Sequence, residues 1–464
     1  MKNLLTPKAA SHVKTINPKA HRSIPFKLNA VSHGLAYTFL AFSLSSIAPV
    51  FAQNNGTNGS GTTAGHGGAG VSGSGSGGNG GSGPTRSGGG GGSGGTSGSG
   101  GRGGIDSTFG NSGGNGGAVG AAGSVITGNT TGNAGAMAGS DSKHPASGGG
   151  GGGVGFWVSG SSSLDNSFNI IGGKGGVGAN GYGVSSGGGG GGGAAGIGGS
   201  SSFTLNNSGV ITGGNGGNGG ATTLTNASGG SGGTGGSGIA GGSFTVNNSG
   251  TISGGAGGSG GASTGSGGTA GSNGSGGSGI YVLSGSGVSI SNLTGGTISG
   301  ATGAIAAINN AGTINSLVNA QGASSYALTY AGNLPINYSI IVNSPTSYGQ
   351  LAFTNITGTN FNFGIDASST LAVGTYSDVL QGLSSINNVT GSSGRFGAYT
   401  YLIQYDASRG AANDWSLVVS GGSVAPEMNP SLIPQVGLLL GCLFFMYGTR
   451  KKIGSEQQGL QMMS

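Results

Sequence analysis

The chain is poor in most of what an enzyme uses. Among 464 residues there are 15 Lys or Arg, nine Asp or Glu, five His, one Cys and 11 Pro, and aromatics make up 6%. The single cysteine, Cys442, excludes an intrachain disulfide and any thiolate zinc cluster. The shortage of proline excludes a collagen triple helix, which needs Pro at roughly 15–20% in a glycine chain; the Gly-rich region holds only Pro84 and Pro145. No Glu occurs between residues 53 and 426, and the only His there, His66 and His144, stand in glycine-rich sequence with no shell to orient them. Asp366, Asp378, Asp406 and Asp414 could supply the two carboxylates of a glycosidase, but each reads as a turn residue. No enzyme activity, cofactor or metal is therefore expected.

Positive charge is also missing where a nucleic-acid binder would need it. The formal charge of +6 comes from the ends: Lys2, Lys8, Lys14, Lys19, Arg22 and Lys27 at one, Arg450, Lys451 and Lys452 at the other. Between residues 53 and 425 six scattered basic residues face seven aspartates, a net charge of −1. Phosphate binding needs clustered cations, so no nucleic-acid partner is expected. Lys174 in GGKGGVG lacks the Ser or Thr that a phosphate loop places after its lysine, and GxGxxG matches arise by chance at this glycine content.

What is abundant is glycine, 119 residues, bracketed by two apolar segments. The basic leader runs into LAYTFLAFSLSSIAPVF, with Val50 and Ala52 as small residues before Gln53. That pattern predicts a secretory signal peptide over 1–52, cleaved between Ala52 and Gln53. Its length resembles the extended signal regions of proteobacterial autotransporters and hemagglutinins. Near the other end, LIPQVGLLLGCLFFMYG at 432–448 predicts one transmembrane helix, held with its basic flank in the cytoplasm. Pro426 and Glu427 before that stretch, and Arg450, Lys451 and Lys452 after it, resemble the tripartite PEP-CTERM sorting signal of Gram-negative bacteria. The likeness covers 423–452 and implies a membrane anchor and a sorting protease as partner. Met428 stands where that family has a second Pro, and a tail at 453–464 follows the basic cluster.

The body divides by composition. Residues 54–300 hold 98 Gly in 247 positions, whereas 301–422 hold 15 in 122. Within the first part LDNSFNIIGG from Leu164, LNNSGVITGG from Leu205 and VNNSGTISGG from Val246 recur at steps of 41, and ISNLTGGTISG from Ile290 repeats the pattern with two extra residues. INNAGTINSL from Ile308 reads as a further copy without a glycine excursion. A fixed period of this kind signals a stacked solenoid. Short β-branched runs flanked by Asn and Gly predict an all-β, right-handed parallel β-helix, with 53–153 as low-complexity lead-in, repeats over 154–300, and a β-rich continuation and cap over 301–422.

The expected interior is two apolar columns, Leu164, Leu205 and Val246, then Ile170, Ile211, Ile252, Ile298 and Ile314. Asn166, Asn207, Asn248 and Asn310 are expected at its corners, structural rather than ligand-binding. Trp415, Tyr399, Tyr401 and Tyr405 are read as core rather than as a glycan site. For the glycine stretches two readings stand: a flexible brush, favoured for 54–120, or a polyglycine II bundle, since GGNGGNGG repeats every three residues. NNSGTISGG and INNAGTI resemble the passenger repeats of autotransporter hemagglutinins and adhesins over 155–420, although no β-barrel translocator follows. The likeness implies a secreted or cell-surface attachment or matrix role, with an unknown surface or matrix ligand. The alternative is a Gly-rich envelope protein whose ordered inserts bind ice or polysaccharide.

Overall fold

The computed structural model describes residues 113–421, except 139–145, 183–184, 200, 286, 359, 388 and 406–412. The signal cleavage site at Ala52 and Gln53, the sorting-like residues Pro426, Glu427, Arg450, Lys451 and Lys452, and the apolar segment 432–448 lie outside them. Among the described residues there is no helix, and none is long and apolar enough to cross a membrane.

Each repeat contributes one short strand to each of three parallel sheets. In the first repeat these strands are Phe156–Val158, Ser162–Asn166 and Asn169–Ile171; in the next, Ile197–Gly199, Phe203–Asn207 and Val210–Thr212. Strands of this length alternate inward and outward residues, so each places one or two apolar side chains in the interior. Register then fixes three columns. Leu164 lies beside Leu205, Leu205 beside Val246, Val246 beside Ile290 and Ile290 beside Leu317. Ile170, Ile211, Ile252 and Ile298 stack in the same way. A third column, Phe156, Ile197, Ile239, Ile280, Ile308 and Tyr330, closes the interior. Nearly all of these side chains have no solvent exposure, so each contributes roughly 1.5–3 kcal/mol of burial. In this chain that interior replaces the single core of a globular domain.

Two expectations change. Ile314 does not continue the Ile298 column: it lies beside Val288 in the sheet that carries Leu205. Ile308 accordingly falls under Ile280, not in the Leu205 column. The third sheet ends at Thr297–Ser299, so INNAGTI supplies a strand of the first sheet and then one of the second. Its likeness to LNNSGVI is a shared strand, Asn-Gly turn, strand grammar used at a different corner. The coil also begins before residue 154. Ala121–Gly123 pairs with Phe156–Val158, Thr130–Thr131 pairs with Asn169–Ile171, and Ile126 joins the buried interior. Ile126 is the one large apolar residue that this rung buries, Val125 beside it being exposed, which is why the rung resembles low-complexity sequence.

The glycine excursions are hydrogen-bonded hairpins, settling the choice between brush and bundle for the described stretches. Their extended legs, such as 213–222 and 228–238, obey a rule of three. In each Gly-Gly-X triplet, the first glycine N–H donates to the parallel leg one repeat on: Gly175 to Asn215 O, Gly216 to Ala256 O, Gly219 to Ser259 O, at 2.8–2.9 Å. The second donates to an antiparallel leg: Gly214 to Ala194 O, Gly217 to Gly191 O, Gly220 to Gly188 O, at 2.7–2.8 Å. A chain with three residues per turn and no internal hydrogen bonds satisfies its backbone only through such neighbours. Residues 113–120, within the stretch expected to be a brush, join the same bundle through Gly114 to Gly148 O and Gly117 to Gly151 O.

The remaining part completes the coil. Leu328–Asn333 and Leu351–Thr357 extend the first sheet, and Asn337–Ile340 and Phe361–Ile365 the second. Aromatics fill the interior here, with Tyr330 against Phe353 at 6.1 Å and Tyr338 against Phe363 at 6.0 Å. Stacking stops because the last strands reverse: Trp415–Gly421 runs antiparallel to Gly374–Gln381 and to Tyr399–Tyr405.

The bundle predicts a sharp positional asymmetry. A Cβ on Gly217 would sit 1.9 Å from the carbonyl oxygen of Gly176, backbone that cannot yield. Gly217→Ala should cost about 3 kcal/mol, while Asn218→Ala at the exposed neighbouring position should cost under about 1 kcal/mol. Denaturant unfolding of the two variants measures the difference.

Candidate functional surface

The second sheet carries the densest side-chain chemistry, because each repeat ends its strand with a polar pair: Asp165 and Asn166, Asn206 and Asn207, Asn247 and Asn248, Ser291 and Asn292. Strand alternation sends them opposite ways: Asn166, Asn207 and Asn248 are buried, whereas Asp165 and Asn206 are exposed and Asn247 half-buried. The inward set forms a continuous amide ladder. Asn166 Nδ2 donates to Asn207 Oδ1 at 2.7 Å, Asn207 to Asn248 at 2.7 Å, Asn248 to Asn292 at 2.8 Å and Asn292 to Asn319 at 3.2 Å. Each amide also ties down its own turn, as in Asn207 Nδ2 to Gly209 O at 3.3 Å and Phe168 N to Asn166 Oδ1 at 3.0 Å. The ladder is the structural corner that was expected, with one exchange. Asn310 lies at another corner, donating to Tyr330 Oη at 3.0 Å and Asn333 O at 2.7 Å, while Asn292 and Asn319 take the later rungs.

The outward set forms a shorter ladder of opposite polarity. Asn206 Nδ2 donates to Asp165 Oδ1 at 2.8 Å, and Asn247 Nδ2 to Asn206 Oδ1 at 2.9 Å. Beside it Ser208 and Ser249 donate to Asn166 O and Asn207 O, each at 3.2 Å. Together they line a groove of about 290 Å³, bounded at one end by Asp165 and at the other by Leu293.

A second ordered surface lies on the bundle. The third residues of successive triplets stand at steps of 41, Lys174, Asn215 and Ala256 in one file, and Val177, Asn218 and Ser259 in the next. Their backbone N–H groups are partly closed by asparagines one repeat earlier: Ala256 N donates to Asn215 Oδ1 at 2.9 Å and Ser259 N to Asn218 Oδ1 at 3.0 Å. Lys174 belongs to this exposed array.

The remaining sequence candidates fall in ordinary structural roles. Asp366 Oδ1 accepts from Ser368 N at 3.0 Å and Ser368 Oγ at 2.6 Å, a turn-forming arrangement. Asp414 Oδ1 accepts from Gly382 N at 3.3 Å. Trp415 Nε1 donates to Leu383 O at 2.8 Å, and Trp415, Tyr399 and Tyr401 pack against the interior. Tyr405 differs, being 49% exposed at the edge of Trp415. Asp406, His66 and His144 lie outside the described residues. Among the described residues no group of three His, Cys, Asp or Glu could hold a metal ion.

No protein-family model matches the chain, and neither does any curated protein or solved structure.

Removing one rung of the buried ladder should be far worse than removing one of the exposed ladder. Asn207→Ala strands the Asn166 amide donor and the Asn248 acceptor in the interior, at about 1–3 kcal/mol each. Asn206→Ala leaves solvated partners and should cost under about 1 kcal/mol. Urea midpoints of the two variants give the comparison.

Burial also raises the hydroxyl pKa of Tyr330 and Tyr338 well above the usual tyrosine range; a bond from Asn310 partly offsets the shift at Tyr330. A raised folded-state pKa means that this stability is fully present below the unfolded value, near pH 10, and is lost as pH climbs through the folded value. Thermal unfolding followed from pH 8 upward should show a midpoint that starts to fall at about pH 10, and Tyr338→Phe should soften the decline.

Proposed function

We propose that the protein is a non-enzymatic, adhesin-like structural protein of the Gram-negative cell surface or its secreted matrix, wound as a right-handed parallel β-helix. The observation that carries this reading is the in-register stack: repeats superpose at steps of 41, so polar residues of similar type, Ser163, Thr204 and Thr245 or Asp165, Asn206 and Asn247, recur on the outside. Such a surface offers many weak, identical contacts rather than one reactive centre, and multivalent contact is what attachment requires. Right-handed winding is the rule for parallel crossovers. The basic leader ending at Ala52 and the apolar 432–448 segment support export and anchoring, with Arg450, Lys451 and Lys452 on the cytoplasmic side and a sorting protease acting near Pro426 and Glu427.

A second reading, in which the glycine bundle itself binds ice or polysaccharide, is favoured by one feature, the flat files of exposed third residues at Asn215 and Asn218.

Immunolabelling of intact producing cells, paired with attachment to glass and to extracted matrix, tests the first reading. Surface label, and attachment lost on deletion of the gene and restored by the full-length chain, are expected. A protein confined to the cytoplasm, or attachment unchanged by deletion, would overturn it.

A further inference from the structure

We infer that the groove beside the outward amide ladder binds a neutral polysaccharide chain lying along the axis of the coil. The inference rests on the surface role proposed above and assigns it a ligand class. Asn206 uses one of its two amide hydrogens on Asp165 and one of its carbonyl lone pairs on Asn247. It therefore keeps one donor and one acceptor free. Asn247 keeps a donor and both carbonyl lone pairs, and the Ser208 and Ser249 hydroxyls, whose hydrogens are committed to main-chain carbonyls, keep acceptor capacity. A paired donor and acceptor on each of the two asparagine rungs is the complement of a sugar hydroxyl, which both gives and takes a hydrogen bond, while Asp165 only accepts. The rungs follow one another at the strand spacing of about 4.8 Å, so the same pair of groups is offered repeatedly along a line, as a polymer of like units requires.

Charge narrows the class. Asp165 is the one charged residue lining the groove, and no Lys or Arg lines it. A polyuronate or sulfated chain would meet a carboxylate with no compensating cation, whereas a polymer bearing only hydroxyls meets no penalty. Asp165 is itself held by the Asn206 amide, a charge-assisted bond that fixes the first rung and, through it, the second. Leu293, 38% exposed, gives the far end an apolar lip for a ring face.

Titration calorimetry of the full-length protein with cellohexaose, laminarihexaose and a hexagalacturonate tests this. Binding of at least one neutral hexamer is expected, weakened at least tenfold in Asn206→Ala and in Asn247→Ala and unaffected in Asn215→Ala on the bundle. Leu293→Ala, which removes the apolar lip without touching the ladder, should weaken it as well, so the test survives if an asparagine variant misfolds. No binding of either neutral hexamer, tighter binding of the acidic one, or unchanged affinity in the folded variants would overturn the inference. Cells that still attach while carrying Asn206→Ala would remove the groove yet leave the surface role standing.

Discussion

The glycine bundle depends on backbones approaching so closely that no side chain can stand between them, and the coil takes its repeat length from that bundle. In the bundle a Cβ at most glycines would fall about 2 Å from a neighbouring carbonyl, as at Gly191, Gly214 and Gly233. That closeness lets each leg donate to two others, turning a segment with almost nothing apolar to bury into a hydrogen-bonded solid. Glycine loses more conformational freedom on ordering than any other residue, and the bundle offsets that loss through bonds along both directions of its lattice. The coil and the bundle also set each other's spacing. Each glycine hairpin starts where a strand such as Val210–Thr212 ends and returns at the next, Ile239–Gly241, so the bundle's legs inherit the rise of the sheets.

Two kinds of cohesion thus share one chain. The coil is held by aliphatic columns and the buried asparagine ladder, both products of register. The bundle is held mainly by main-chain bonds, with asparagine side chains such as Asn215 and Asn218 closing some of the remaining N–H groups. A one-residue slip would turn Leu205 and Val246 outward and bring Asn206 and Asn247 into the interior. The buried amides oppose such a slip, since each needs the identical amide above and below it, a requirement shared with the register-setting asparagines of coiled coils. Among the described residues the stack runs from the rung that carries Ile126 to the reversed strand Trp415–Gly421.

Much of this was legible in the sequence. The period of 41 and the alternation in LNNSGVITGG point to the Leu205 and Ile211 columns, because period and alternation are direct imprints of stacking and pleat. The glycine triplets pointed to a threefold lattice but left open whether it forms. Nothing local distinguishes a flexible GGNGGNGG from a bonded one; the difference lies in partners 41 residues away. Ile314 misled because short strand–turn grammar is shared by several corners of a coil, and only pairing reveals which corner a copy occupies. The outward ladder was hidden by its own ordinariness, as Asp165, Asn206 and Asn247 look like any exposed polar residues until the rungs are superposed.

The threefold rule carries a consequence for how such a protein can change over time. A leg that gains or loses one residue rotates every later glycine off its neighbour and places an Asn, Ser or Thr where only bare backbone fits. Length change within the legs is therefore restricted to whole triplets added to both together, whereas the tip is exempt: the excursion from Thr212 to Ile239 is one residue longer than that from Ile171 to Ile197. Within that restriction the legs can lengthen without altering the strands of the coil, a limit on insertions and deletions imposed by geometry.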